Sequence, residues 1–325
     1  MSKRIVVRRH GGPEVLEIES FEPGQPGPGE VLLRQTAIGL NFIDTYFRTG
    51  LYPSPAGMPF TPGNEAAGVV EAVGEGVADL KPGQRVAYAG AFGAYADRRI
   101  APARSLVPLP EAVSDEQAAA MMLKGMTAQY LLRQTYVVKP GDTILFHAAA
   151  GGVGLIACQW AKQLGATVIG TVGSADKAEL ARAHGCDHVI LYKDEDVAAR
   201  VKEITGGKGV PVVYDGVGKA TFMASLDCLK PRGLMVSFGN ASGAVDPISP
   251  VILSQKGSLY LTRPTLFTYT STRDELLSTA GDLFDVVGSG KVKIEIHQRF
   301  PLARAADAHR ALEGRGTTGS TLLMP

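Results

Sequence analysis

The sequence predicts an α/β chain in which a doubly wound parallel sheet is inserted into a mostly-β domain. Three observations predict it. From Thr143 onward, short apolar runs alternate with helix-like stretches, the pattern of repeated βαβ units. Before about Pro110 the chain reads instead as short strands punctuated by Gly, Pro and Asp. A glycine loop, Ala149-Ala150-Gly151-Gly152-Val153-Gly154, follows an apolar strand and opens a helix.

The elements follow in order. Val31 to Ala37, Ala66 to Val73, Arg85 to Ala89 and Tyr95 to Ile100 have strand character, and Lys81-Pro82-Gly83 is a turn entering a strand. Ser114, with Gln117 three positions on, reads as a capping box opening a helix through Leu132. Thr143 to Ala149, Thr167 to Val172, His188 to Tyr192, Val210 to Asp215, Gly233 to Phe238 and Ser258 to Thr262 are the six strands of the parallel sheet. Helices at Gly154 to Leu164, Ala175 to His184 and Val197 to Ile204 separate the first four. After Pro264 the pattern becomes irregular, with a helix near Asp274 to Val287 and a last strand, Ser320 to Met324. The predicted division is residues 126–264 for the parallel sheet, with 1–125 and 265–325 packing together as the β-rich domain. The expected active site is the cleft between them.

Length and composition bound the function. At 325 residues the chain has room for two domains with real cores. A net charge of +1 gives no reason to expect nucleic acid or a membrane surface as partner. Cys158, Cys186 and Cys228 are scattered and odd in number, which fits a reducing compartment better than a disulfide framework. There is no apolar h-region near Met1 and no apolar run of membrane-spanning length, so a cytoplasmic location is expected.

The glycine loop is the strongest local signal. Gly151 lets the backbone approach a pyrophosphate, and Gly154 lets the helix pack against the strand. Ala150, Gly152 and Val153 complete a turn whose free N–H groups and helix dipole favour an anion. The first glycine of the usual fingerprint is Ala149 here. An NAD-specific fold carries an acid at the end of the second strand to bind the ribose 2′-OH. Here that strand runs into Gly173-Ser174-Ala175-Asp176-Lys177. Gly173 would open space, Ser174 donate a hydrogen bond and Lys177 supply a cation, with Asp176 turned to solvent. These suit a 2′-phosphate, so the expected cofactor is NADPH.

Gly141-Asp142 through Gly165, with the run AAAGGVG, resembles the signature of the quinone oxidoreductase and zeta-crystallin family of the medium-chain dehydrogenase/reductases. Asn41-Phe42-Ile43-Asp44-Thr45-Tyr46-Phe47-Arg48-Thr49-Gly50-Leu51-Tyr52 and Pro62-Gly63-Asn64-Glu65-Ala66-Ala67-Gly68 resemble two further family motifs. The resemblance covers essentially the whole chain. It implies a Rossmann doubly wound sheet inserted into a GroES-like mostly-β domain, NADPH as reductant, and usually a homodimer. Zinc-dependent relatives carry a Cys at the position of Asn41 and a His at that of Asn64. Amides do not replace thiolate and imidazole on zinc, so no metal is expected.

The resemblance also implies site residues. Asn41, Tyr46 and Thr127 line the nicotinamide end, Thr127 at the start of a helix entering the cofactor domain. Tyr192 reaches the adenosine half. Phe238-Gly239-Asn240 ends the fifth strand beside the nicotinamide, Arg263 follows the sixth strand, and Arg315 lies in the C-terminal segment. His147 reads as structural; His10, His184, His188, His297 and His309 show no ligand spacing, and no Ser–His–Asp set emerges. Without a Lewis acid, the acceptor should take a hydride easily. A quinone does, since the resulting anion is delocalised. An enone or enoyl-thioester does for the same reason and is the alternative. A non-catalytic, crystallin-like NADPH-binding protein is the alternative from another class. For catalysis the expectation is positioning, with Tyr46 and Asn41 bonding the acceptor oxygen as it becomes negative and Tyr52 a weaker candidate.

Overall fold

The computed structural model describes all of residues Met1–Pro325. The chain forms two compact units: Met1–Met126 with Thr270–Gly288 and Ile294–Pro325, and Thr127–Tyr269 with Ser289–Lys293.

In the first unit β1 (Ser2–Val7) pairs antiparallel with β2 (Leu16–Phe21). The long β3 (Glu30–Leu40) leads into helix α1 (Phe42–Thr49), which connects it to its antiparallel partner β4 (Glu65–Val73). β5 (Arg85–Ala89), β6 (Arg98–Pro102), β7 (Val107–Pro108) and helix α2 (Asp115–Tyr130) follow. β3 is the organising strand: Val31, Leu33, Ala37 and Ile38 are buried, and it pairs with both β4 and β6. α1 starts where the Asn41 N–H donates to Asp44 Oδ2 at 3.0 Å. It ends at Gly50, left-handed at φ 79°, whose N–H donates to Phe47 O.

The second unit alternates strand and helix: β8 (Thr143–Phe146), α3 (Gly152–Gln163), β9 (Thr167–Val172), α4 (Ala175–Ala183), β10 (His188–Leu191), α5 (Val197–Ile204) and β11 (Val210–Asp215). It continues with α6 (Phe222–Cys228), β12 (Leu229–Ser237), α7 (Val251–Gln255), β13 (Tyr260–Thr262) and α8 (Leu266–Tyr269). The six strands run in the order β10-β9-β8-β11-β12-β13, and every pairing is parallel. This is the doubly wound Rossmann order, with its direction of winding reversing between β8 and β11. Leu145, Ile169, Ile190, Val213 and Met235 form the core under α5 and α6.

The chain then returns to the first unit through α9 (Arg273–Gly288), β14 (Ile296–Pro301), α10 (Ala305–Glu313) and β15 (Ser320–Met324). β15 lies between β14 and β3, with Thr321 opposite Leu40 and Leu323 opposite Ile38.

Several elements differ from the sequence expectation. The strand expected over Thr143–Ala149 stops at Phe146, because Ala148 adopts the left-handed φ of 55°. Helix α3 accordingly starts at Gly152, two residues early. The strand expected at Tyr95–Ile100 runs from Arg98 to Pro102. Thr127 is not at the start of a helix; it lies in the last turns of α2. Gly125 does not break that helix, because it is the contact point with Leu283: a Cβ there would lie 2.5 Å from Leu283 Cδ1. Helices α1, α6, α7, α8 and α10 and strand β14 had no counterpart in the sequence expectation, and β1 and β2 lie in a stretch expected only in general terms to form short strands. No helix is long and apolar enough to cross a membrane.

Candidate functional site

The site residues are best built from the loop that follows β8. The Ala148 carbonyl accepts the Gly151 N–H at 2.9 Å, and α3 begins at the next residue. A Cβ on Gly154 would lie 2.4 Å from Ala148 O and 2.6 Å from Ala149 O. Both are backbone atoms, so only glycine lets the first turn of α3 sit on this loop. A Cβ on Gly151 would meet only Ala148 O, at 3.1 Å, with open space around the rest. The first-turn N–H groups, Gly152 and Val153 among them, have no intrahelical acceptor. A turn of this geometry can receive an anion such as a dinucleotide pyrophosphate.

Gly173, Ser174, Lys177 and Tyr192 come together at the ends of β9 and β10. Ser174 is the exposed N-cap of α4, and its hydroxyl makes no capping bond to the helix. Lys177 lies half-buried in the first turns of that helix, while Asp176 is exposed. The Tyr192 N–H donates to Val172 O at 3.2 Å, fastening the end of β10 to β9. Beside Gly173 the structure places a side chain that the sequence did not show. The room left by its missing side chain is filled by Tyr192, whose hydroxyl lies 2.7 Å from where a Cβ would be. Gly173 admits the phenol to the strand end, and Ser174 and Lys177 remain as the donor and cation beside it.

Phe238, Gly239, Asn240 and Arg263 also converge. Arg263 Nη1 donates to Ser237 O at 2.8 Å and to Gly239 O at 3.2 Å, clamping the end of β12. A Cβ on Gly239 would lie 2.3 Å from Gly216 O, so the loops after β11 and β12 touch there backbone to backbone. The Phe238 ring packs 5.8 Å from that of Phe146.

Asn41, Tyr46 and Arg315 belong to the first unit. Tyr46, on α1, is half-buried and sets its ring edge-on to Tyr52 at 5.2 Å. Arg315 is exposed on the turn after α10, left-handed at φ 57°. Asn41 is buried, and its Nδ2 donates to Glu65 Oε2 at 2.7 Å. The same carboxylate accepts Lys124 Nζ at 3.0 Å and the Leu123 N–H at 2.7 Å. Glu65 therefore fixes which way the Asn41 amide points. Glu65 stands within the family motif Pro62–Gly68, and Lys124 three residues before Thr127, without a sequence signal that singles out either.

A second buried network adjoins it. Asp44 accepts from Asn64 Nδ2 at 2.9 Å, from the Asn41 N–H at 3.0 Å and from the Tyr95 hydroxyl at 3.1 Å. Burial pushes the Asp44 carboxyl up to about 6 against the pull of these donors. The Tyr95 hydroxyl also meets His309 Nε2 at 3.0 Å, and His309 Nδ1 faces Arg48 Nη1 at 3.0 Å. A guanidinium only donates, so Nδ1 accepts and Nε2–H donates to Tyr95. Burial and the Arg48 charge hold His309 neutral, its value lowered to about 3. Arg48 finishes the chain in a two-pronged pair with Glu313, at 3.0 and 2.6 Å.

The donor set does not fit zinc. At the two positions where zinc-dependent relatives carry ligands, Asn41 and Asn64 each turn an amide N–H onto a carboxylate. A flipped amide would set oxygen against oxygen. The Lys124 ammonium already sits on Glu65, and no three His, Cys, Asp or Glu side chains are grouped to hold a metal.

Fold and loop together define the class, the medium-chain dehydrogenase/reductase fold. The alcohol dehydrogenase GroES-like domain family matches residues 27–111, and the zinc-binding dehydrogenase family matches residues 152–284. A quinone oxidoreductase of Pseudomonas aeruginosa is 59% identical over 326 residues, covering all of both chains. Quinone oxidoreductase 1 of Escherichia coli is 55% identical, again over all of both chains. The solved structure of the Escherichia coli quinone oxidoreductase complexed with NADPH superposes with a TM-score of 0.98, at 55% identity over 99% of this chain and 100% of that one. A 2-haloacrylate reductase from Burkholderia is 51% identical over 98% of each chain. The chain belongs to the quinone oxidoreductase family.

Proposed function

We propose that this protein is an NADPH:quinone oxidoreductase that works without zinc. The observation that carries the reading is the pair of amides, Asn41 and Asn64, committed to Glu65 and Asp44 where zinc-dependent relatives carry ligands. With no Lewis acid, the acceptor must stabilise its own developing charge, as a quinone does. NADPH supplies the hydride when bound; one proton from solvent completes the hydroquinone.

The chain's residues bind and orient. Ala150 through Gly154 receive the pyrophosphate at the N-terminus of α3. Ser174, Lys177, Tyr192 and Arg315 take the 2′-phosphate and adenosine end, and Gly173 admits the Tyr192 ring. Phe238, Gly239, Asn240, Arg263 and Thr127 flank the nicotinamide. Tyr46 bonds the acceptor oxygen as it gains charge, and Asn41, one Nδ2 hydrogen held by Glu65, turns the other to that oxygen by giving up its long 3.4 Å contact with Gly39 O.

A reductase of α,β-unsaturated carbonyl compounds is the second reading, favoured by the 51% identity to a 2-haloacrylate reductase. We also infer a homodimer, supported by the exposed edge strand β13, where Tyr260 is 61% and Leu261 38% exposed. A cytoplasmic location is supported by three buried cysteines, none in a disulfide.

The test is NADPH oxidation followed optically with a benzoquinone, a naphthoquinone and an enone, with and without a chelator. Turnover of quinones unaffected by chelation supports the first reading. Turnover confined to the enone selects the second. Tight NADPH binding with no turnover of any acceptor would leave a binding protein, and stoichiometric zinc with chelator-sensitive activity would overturn the metal-free mechanism.

A further inference from the structure

One buried residue joins the carboxyl ends of three adjacent strands: the His147 imidazole bonds β9 directly and reaches β11 through Ser225, and its main chain bonds β11 directly. His147, 1% exposed, follows β8 directly. Its Nδ1 lies 2.9 Å from Thr171 Oγ1 near the end of β9. Its Nε2 lies 2.9 Å from Ser225 Oγ on α6. Ser225 Oγ also lies 2.8 Å from Asp215 Oδ2, at the end of β11, and 2.9 Å from Thr221 O. The Asp215 Oδ1 atom in turn accepts the N–H groups of Val217 at 2.8 Å and Gly218 at 3.0 Å, shaping the turn after β11.

The direction of these bonds follows from the partners. Both other neighbours of Ser225 Oγ are acceptors, so the serine proton points to one of them. His147 Nε2 must then carry hydrogen and donate to Oγ. Nδ1 is left as the acceptor for the Thr171 hydroxyl. Burial lowers the imidazole's proton affinity, which keeps this neutral tautomer.

The main chain repeats the same bridge. The His147 N–H donates to Tyr214 O on β11, and the Ala149 N–H donates to Thr171 O on β9, each at 3.0 Å. Between them Ala148 holds a left-handed φ of 55°, a region disfavoured for any residue with a Cβ. Ala148 O is the atom that caps Gly151 and underlies Gly154. Three sheet strands thus hold the loop in a conformation its own sequence disfavours, and the imidazole, with Ser225, is the side-chain link among them. A serine, a histidine and an aspartate lie in line, but all three are buried and face no substrate.

We infer that His147 is a positioning residue for cofactor binding, tying the strained Ala148 turn to β9 and β11 so that the N–H groups of the glycine loop are aimed before NADPH arrives. The inference rests on the proposed binding of NADPH at that loop. It predicts a loss shared by NADPH and NADH, since both carry the pyrophosphate.

The experiment is fluorescence titration of both cofactors into wild type, His147→Ala, His147→Gln and Thr171→Val, alongside urea unfolding of each. For His147→Ala, Kd should rise at least tenfold for both cofactors by the same factor. His147→Gln keeps one acceptor and one donor and should recover most of that loss. Thr171→Val removes one hydrogen bond and should weaken both cofactors roughly fivefold. Adding Ala148→Gly to His147→Ala should restore part of the affinity by removing the disfavoured φ. If His147→Ala does not fold, the glutamine and valine variants decide. Folded variants with wild-type Kd values, or a loss confined to the unfolding midpoint, would overturn the inference. A wild type that binds neither cofactor would instead overturn the functional reading beneath it.

Discussion

Two glycines of one loop should fail in different ways when each is replaced by alanine. Gly154→Ala places a Cβ 2.4 and 2.6 Å from two carbonyl oxygens, and neither atom belongs to a side chain that can swing aside. Relief requires shifting the first turn of α3 off β8. Overpacking of this kind costs roughly 1–3 kcal/mol, and the backbone partners put it at the upper end. Replacing glycine inside a helix returns about 1 kcal/mol. The net expectation is a loss of about 2 kcal/mol, seen as a lowered midpoint in urea unfolding followed by circular dichroism. Gly151→Ala meets a single atom at 3.1 Å, and its φ of −82° suits any residue. Stability should change by less than about 1 kcal/mol, while the new methyl faces the open cradle and raises the NADPH Kd at least about tenfold, as losing one charge-assisted hydrogen bond would. A Gly154→Ala protein with the wild-type midpoint would refute the packing argument. A Gly151→Ala protein that binds NADPH normally would remove the loop from the cofactor site.

Three further outcomes are expected. Lys177→Ala should weaken NADPH about 10- to 100-fold, the worth of one hydrogen bond to a charged group, and barely change NADH; equal losses would place Lys177 on the shared part of the cofactor. Tyr46→Phe should lower quinone turnover with the NADPH Kd intact, and wild-type kinetics across several quinones would remove the hydroxyl from the mechanism. His309 is held neutral in the fold down to about 3, below its ordinary 6.5, so the unfolded chain takes up a proton that the folded one refuses. Its contribution to stability therefore falls as pH drops from about 6.5 toward 3, by up to ~1.4 kcal/mol per pH unit. His309→Gln abolishes that term, so the variant should gain on wild type in unfolding free energy as pH is lowered across this window; a pH-independent difference would refute the neutral assignment.

The parallel sheet was legible because each strand is a short apolar run and the first three of its helices, α3, α4 and α5, stand as separate stretches between them; the short α6 and α7 were not legible. The glycine loop was legible because its chemistry is local. Helix α1 was missed although its signals were present: Asn41, Asp44 three residues later and Gly50 after the last turn. They stand in a region whose other elements are strands, and the β context hid them. Helix α10 has no side-chain cap to announce it, and its N-cap is Arg304. The buried networks were beyond reach for a different reason. Arg48 meets His309 across 261 positions, and Ser225 meets His147 across 78. No periodicity relates such residues; only the folded topology does. Gly173 shows the same limit at short range. Its need for space was legible, but not that a tyrosine from the next strand fills it.

The place of β15 bears on the order in which the molecule is made. The first unit is split, and its sheet is unfinished until Ser320–Met324 pair with Ile38–Leu40. The second unit is almost wholly contained in Thr127–Tyr269, so it can close while the C-terminal segment is still unsynthesised. β3 ends at Leu40 and its partner β15 begins only at Ser320, so at typical elongation rates of about 5–20 residues per second that edge stays open for roughly 14–56 s. Through that interval the Arg48 guanidinium, fully buried in the finished protein, also lacks both Glu313 and His309. The nascent chain thus carries an unpaired strand edge and an uncompensated charge while the second unit is already able to fold, which exposes the ribosome-bound stage to aggregation and to chaperone capture.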